Sequence, residues 1–115
     1  MATTYGNQFV NGFEVTTGID TVYQVPSSGF SKVVIANATA RNYGASTANL
    51  TLWMIPDGES TADNFKAIID RTLSPGETVI MAEIIGEPIN AGGQIEAQAS
   101  LNTHISLTIG GSVET

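Results

Sequence analysis

The chain has 115 residues and no cysteine, so it is long enough for one hydrophobic core and carries neither a disulfide framework nor a thiolate metal site. Eleven acids against four bases (Lys32, Arg41, Lys66 and Arg71) give a net charge of −7, which excludes the continuous basic face that nucleic acid requires. Only 13% of residues are charged, against roughly 25% in ordinary soluble domains, so much of the outer surface must be Thr, Ser, Asn, Gln and Ala.

Residues 1–18 are rich in Thr, Gly and Asn but carry Tyr5, Phe9, Val10 and Phe13 without a sustained period. They read as an N-terminal arm preceding a domain at residues 19–115. Its aromatics either dock on another surface or cover the domain's own core. The first residues hold no basic region and no apolar run, so no signal peptide is expected. Nothing approaches the ~18 apolar residues of a membrane span, and no membrane partner is expected.

Strand signals begin at Asp20. Residues 21–25 end at the turn cluster Pro26-Ser27-Ser28-Gly29, and residues 32–40 follow, β-branched at their start. Asn42-Tyr43-Gly44-Ala45-Ser46 reads as a hairpin connection into residues 48–55, which Pro56-Asp57-Gly58 closes. Ser60 is an N-cap candidate for a single helical turn through residue 67, with Asp63 at its third position. A strand over residues 67–73 leads to Ser74-Pro75-Gly76-Glu77, where proline presets one central φ and glycine supplies the positive φ of the next. Residues 78–81 follow. After Asn90-Ala91-Gly92-Gly93, the residues Ile95, Ala97, Ala99 and Leu101 alternate with Glu96, Gln98, Ser100 and Asn102. Ile105, Leu107 and Ile109 then alternate with Ser106 and Thr108, before Gly110-Gly111 and a short tail. Seven to eight strands with turns every 8–12 residues predict an all-β fold: one antiparallel β-sandwich, jelly-roll or immunoglobulin-like.

No constellation for catalysis emerges, and none for a metal or cofactor. His104 is the single histidine and falls in phase with Ser106 and Thr108, so it is expected at the surface; no Gly-x-Ser-x-Gly elbow accompanies it. Asp57, Glu59 and Asp63 lack the spacing of a twelve-residue calcium loop. Glu83, Glu87 and Glu96 have no pattern that would face two of them across a glycosidase cleft. Gly92-Gly93 and Gly110-Gly111 lie between strands rather than before a helix, unlike phosphate loops.

The alternation fails where both faces are apolar: Val33-Val34-Ile35, Leu52-Trp53-Met54-Ile55 and Ile84-Ile85. A two-layer sandwich buries one face per sheet. These stretches therefore predict a second covering layer, another subunit or the arm, with Tyr5, Phe9, Phe13, Trp53 and Ile55 as interface residues.

The order Tyr23-Gln24-Val25-Pro26, Ala36-Asn37-Ala38-Thr39, Asn49-Leu50-Thr51-Leu52-Trp53-Met54-Ile55-Pro56, Ala62-Asp63-Asn64, Leu73-Ser74-Pro75-Gly76-Glu77-Thr78 and Ile89-Asn90-Ala91-Gly92-Gly93-Gln94-Ile95 resembles small β-sandwich virion proteins of tailed bacteriophages, of the head decoration or cement type. The resemblance covers roughly residues 20 to 110 and brings no catalytic residues. It implies a non-enzymatic structural protein on the outer surface of a phage head. The implied partners are the major capsid protein and further copies of the chain, as a dimer or trimer that bridges capsomers. Two other readings of the sequence are a tail-associated fibre or adaptor component and a carbohydrate-binding module with Trp53, Tyr43 and Tyr23 as its platform.

Overall fold

The computed structural model describes residues 3–27, 32–59 and 68–114, and side chains from residue 9 onward. The helical turn expected from Ser60 lies outside the described residues. Nine strands are present there: β1 (Thr3–Val15), β2 (Asp20–Gln24), β3 (Lys32–Asn42), β4 (Ala48–Ile55), β5 (Ile69–Leu73), β6 (Thr78–Ile80), β7 (Pro88–Asn90), β8 (Gln94–Ala99) and β9 (Ile105–Glu114). A single 3-10 turn, Ala82–Ile84, separates β6 from β7.

The strands form two antiparallel sheets, in the orders β1-β9-β3-β6 and β2-β8-β4-β5. β7 also pairs with β3, at residues 32–34, while β6 pairs at residues 39–41. β6 and β7 are thus two halves of one interrupted strand. Counted so, eight strands cross between the sheets in the double Greek key of a jelly roll. An immunoglobulin-like order, with its first two strands in one sheet, is absent from this topology.

Alternation delivers the core. In β8 every second residue is buried, and Leu50 and Leu52 of β4 meet Leu107 and Ile109 of β9 in one apolar cluster fed by both sheets. Several expectations shift. The segment read as an arm is instead the edge strand β1, paired with β9 from Thr3↔Glu114 to Val15↔Ile105. Three register shifts interrupt that pairing, and these bulges erase the two-residue period that would have marked a strand. β9 does not stop at the glycine pair; it runs through Gly110-Gly111 to Glu114. There β3 bulges between Ile35 and Asn37, and a Cβ on Gly111 would overlap the Val34 carbonyl oxygen and lie 2.9 Å from the Ala36 nitrogen. The glycine is what lets the two backbones approach.

Candidate interaction surface

The topology gathers four loops at one end: residues 16–19, 43–47, 74–77 and 100–104. Asn42, buried at the end of β3, ties the second and third of them together. Its Nδ2 donates to the carbonyls of Ser46 (2.8 Å) and Leu73 (3.0 Å), and its Oδ1 accepts from the Gly44 N–H (2.9 Å). Its own N–H donates to the Glu77 carbonyl, and its carbonyl accepts from the Gly76 N–H. The Tyr43 N–H donates to the His104 carbonyl, and the Thr17 N–H to Asn102 Oδ1.

His104 belongs to this end rather than to an outward strand face. It sits in the bend before β9, where its ring packs on Gly44 so closely that a Cβ there would overlap it. Its Nδ1–H donates to the Asn102 carbonyl (2.8 Å), and Nε2 is buried with no hydrogen-bond partner among the described residues. His104 is half-buried, as are Ser106 and Thr108 with which it is in phase, although the strand itself begins one residue later, at Ile105. Nearby, partial desolvation, then the charge and hydrogen bond of Glu14, hold the Tyr43 hydroxyl above its ordinary pKa.

The five expected interface residues scatter. Phe9 stacks on Tyr23 with ring centroids 5.1 Å apart, closing the side where β1 meets β2, and Phe13 also packs on the core. These two aromatics cover their own domain, and burial pushes the Tyr23 hydroxyl pKa up. The side chain of Tyr5 lies outside those described. Ile55 is 1% exposed, covered within its own chain, with Gly93 of the β7–β8 turn close to its carbonyl. Trp53 is half-buried on the outer face of the second sheet, opposite Glu96. The aromatic platform of Trp53, Tyr43 and Tyr23 does not form: one lies on a sheet face, one at the loop end and one at the β1–β2 side. The acids are likewise apart. Glu83 pairs with Arg71 (3.1 Å), Glu87 stands by β7 and Glu96 lies on the opposite sheet. Asp57 packs against Gly92, Glu59 is exposed, and Asp63 is outside the described residues.

Large exposed apolar side chains fall in two places: Ile19, Tyr43 and Leu101 at the loop end, and a second group beside β5 and β6, edge strands of the two sheets. Ile80 of β6 is 64% exposed, Ile85 after the 3-10 turn 39%, and Ile68 before β5 39%. Arg71 spans the two edges, donating to the Ile80 carbonyl (3.3 Å) and to Glu83. Ile68 also borders an apolar cleft of about 320 Å³ with Met54, Ile55, Pro56, Pro88 and Ile89. Of the doubly apolar stretches, Ile84-Ile85 is a turn that sends Ile84 into the core and Ile85 outward.

No family model matches the chain, and no curated protein matches it. A chain in the structure of infectious bursal disease virus Gt strain is similar over 97% of this chain, at 14% identity and a TM-score of 0.32. The match spans 31% of that viral chain, so this protein corresponds to about a third of its length.

Sequence reasoning missed the β5–β6 edge. Ile80 and Ile85 sit among turn residues with no period, and the available signal was their spacing around Met81 and Ile84, which both enter the core.

Proposed function

We propose that this chain is a structural protein of a tailed-phage virion, a decoration (cement) protein that seats on the outer face of the head. It bridges neighbouring copies of the major capsid protein as a dimer or trimer. The observation that carries the assembly part is the row of exposed isoleucines, Ile68, Ile80 and Ile85, along paired free edges held in place by Arg71. The virion address rests on the sequence resemblance.

A standard interface takes about 800 Å² from each partner. That is roughly a seventh of this chain's 5773 Å² of surface. Each isoleucine contributes up to about 1.5–3 kcal/mol on full burial. Many copies on a symmetric shell add by avidity. The acidic balance suits the outside of a shell packed with DNA.

The test is to count copies in intact particles by mass spectrometry and to add purified protein to emptied heads. Hundreds of copies and saturable binding, lost in Ile80→Glu, are expected. A handful of copies per particle refutes the decoration role and favours a tail component.

A further inference from the structure

We propose that the outer face of the β2-β8-β4-β5 sheet binds neutral oligosaccharides, an activity independent of the virion assignment and of the β5–β6 edge. The residues projecting from this face follow from the register. Trp53 lies opposite Glu96, Thr51 opposite Gln98 and Asp70, and Asn49 opposite Thr72. Successive outward positions along a strand are about 7 Å apart, so Trp53 stands one step from Thr51 and two from Asn49.

The polar side chains are held in fixed orientations. Asn49 Nδ2 donates to Asp70 Oδ1 (2.8 Å), while its Oδ1 accepts from the Thr72 hydroxyl (3.0 Å). Gln98 Nε2 donates to the Thr17 carbonyl (2.8 Å). The Ser100 hydroxyl oxygen accepts from the Asn49 N–H (2.8 Å). Between them runs a polar groove of about 360 Å³, lined by Thr17, Asn49, Thr51, Gln98 and Ser100.

Three features define the ligand. Fixed amides, hydroxyls and a carboxylate present donors and acceptors to sugar hydroxyls without first losing rotamer freedom. Trp53, half-buried and one outward step beyond Thr51 on β4, offers an aromatic surface next to the groove for the C–H face of a ring. The face carries Asp70 and Glu96, and no Lys or Arg projects from it among the described residues; Arg71 is turned to Ile80 and Glu83. Phosphorylated, sulfated and sialylated ligands are therefore disfavoured by charge. The large exposed apolar side chains belong to the β5–β6 side and to the loop end (Ile19, Tyr43 and Leu101), not to the strands of this face.

The purified full chain would be applied to an array of glucose, galactose, mannose and N-acetylglucosamine oligomers beside sialylated and sulfated glycans. Affinities of Trp53→Ala, Gln98→Ala and, as a control at the loop end, Tyr43→Phe would then be compared by titration, with near-ultraviolet circular dichroism reporting folding. Binding confined to neutral glycans is expected, roughly tenfold or more weaker in Trp53→Ala and Gln98→Ala and unchanged in Tyr43→Phe. Should Trp53→Ala misfold, Gln98→Ala alone decides. Absence of binding to every neutral glycan, a preference for the charged ones, or unaltered affinity in both variants overturns the proposal. A chain that binds heads but no sugar sinks this proposal and leaves the virion role standing.

Discussion

Asn42 is the sharpest place to test how the loop end is held, because one side chain there satisfies three backbone groups. Asn42→Ala removes the donors to Ser46 and Leu73 and the acceptor for Gly44. A buried backbone group left unpaired costs about 1–3 kcal/mol. Only the bond to Leu73 is fully buried; the other two are part-buried, and water can replace some of each. The total comes to about 2–5 kcal/mol, a large share of the ~5–15 kcal/mol available to a domain. Chemical denaturation followed by tryptophan fluorescence should show this loss with an unchanged denaturant slope. Asn42→Asp adds a sign test. Its carboxylate keeps the acceptor for Gly44 but turns an oxygen toward two carbonyls, so burial and repulsion raise its folded pKa above the unfolded value of about 3.9. A group raised in this way stabilises most below its unfolded pKa and loses that contribution as pH climbs through the folded one. The deficit of Asn42→Asp against the parent must therefore shrink from pH 7 to pH 4. A cost under about 1 kcal/mol for Asn42→Ala, together with a pH-independent deficit for Asn42→Asp, would refute the hub.

Other expectations concern packing and titration. Gly111→Ala drives a Cβ into the Val34 carbonyl and should cost about 3 kcal/mol or more, read as a fall in thermal midpoint; a change of a few tenths would mean that the β3 bulge yields. Leu52→Ala, wholly inside the core, should cost about 2–5 kcal/mol in the same assay. Tyr23 and Tyr43 ionise late in the folded state, so stability should begin to fall above about pH 10, where the unfolded phenols ionise first. Tyr23→Phe should flatten that decline, and an identical pH profile for the variant would contradict the assignment. Ile80→Glu should leave the stability within about 0.5 kcal/mol of the parent while abolishing head binding.

What the residues disclosed in advance depended on whether a strand keeps its period. β8 does throughout and β4 as far as Trp53, and the stretch 48–55 matched its strand end to end because Leu50 and Leu52 face inward while Thr51 and Trp53 face out. β1 does not, since its three bulges let Val10 and Val15 both be buried although they are out of phase, and an edge strand then looks like an arm. β7 is three residues long and opens with a proline, too short for any pattern to register. The doubly apolar stretches pointed to a missing layer, yet Ile55 is covered within its own chain, and Ile84-Ile85 never enters a strand. The polar groove was illegible for a different reason. Asn49, Thr72, Gln98 and Thr17 are far apart in the chain, and only the β5-β4-β8 register brings them together.

The pairing of β1 with β9 has a bearing on how the molecule comes into being. β9 lies in the middle of its sheet, between the first strand and the third, and contributes Leu107 and Ile109 to the core. While a ribosome is still making residues 105–114, β1 has no hydrogen-bonding partner and β3 lacks its principal one, however long they have been outside the exit tunnel. Folding must wait for the end of the sheet's own sequence, and a topology so rich in distant pairings closes slowly, in milliseconds to seconds. During that interval two long strands with unpaired edges stand ready to pair with the wrong chain. A nascent chain stalled before residue 105 should accordingly be held by chaperones or aggregate, and release of ten more residues should be enough to rescue it.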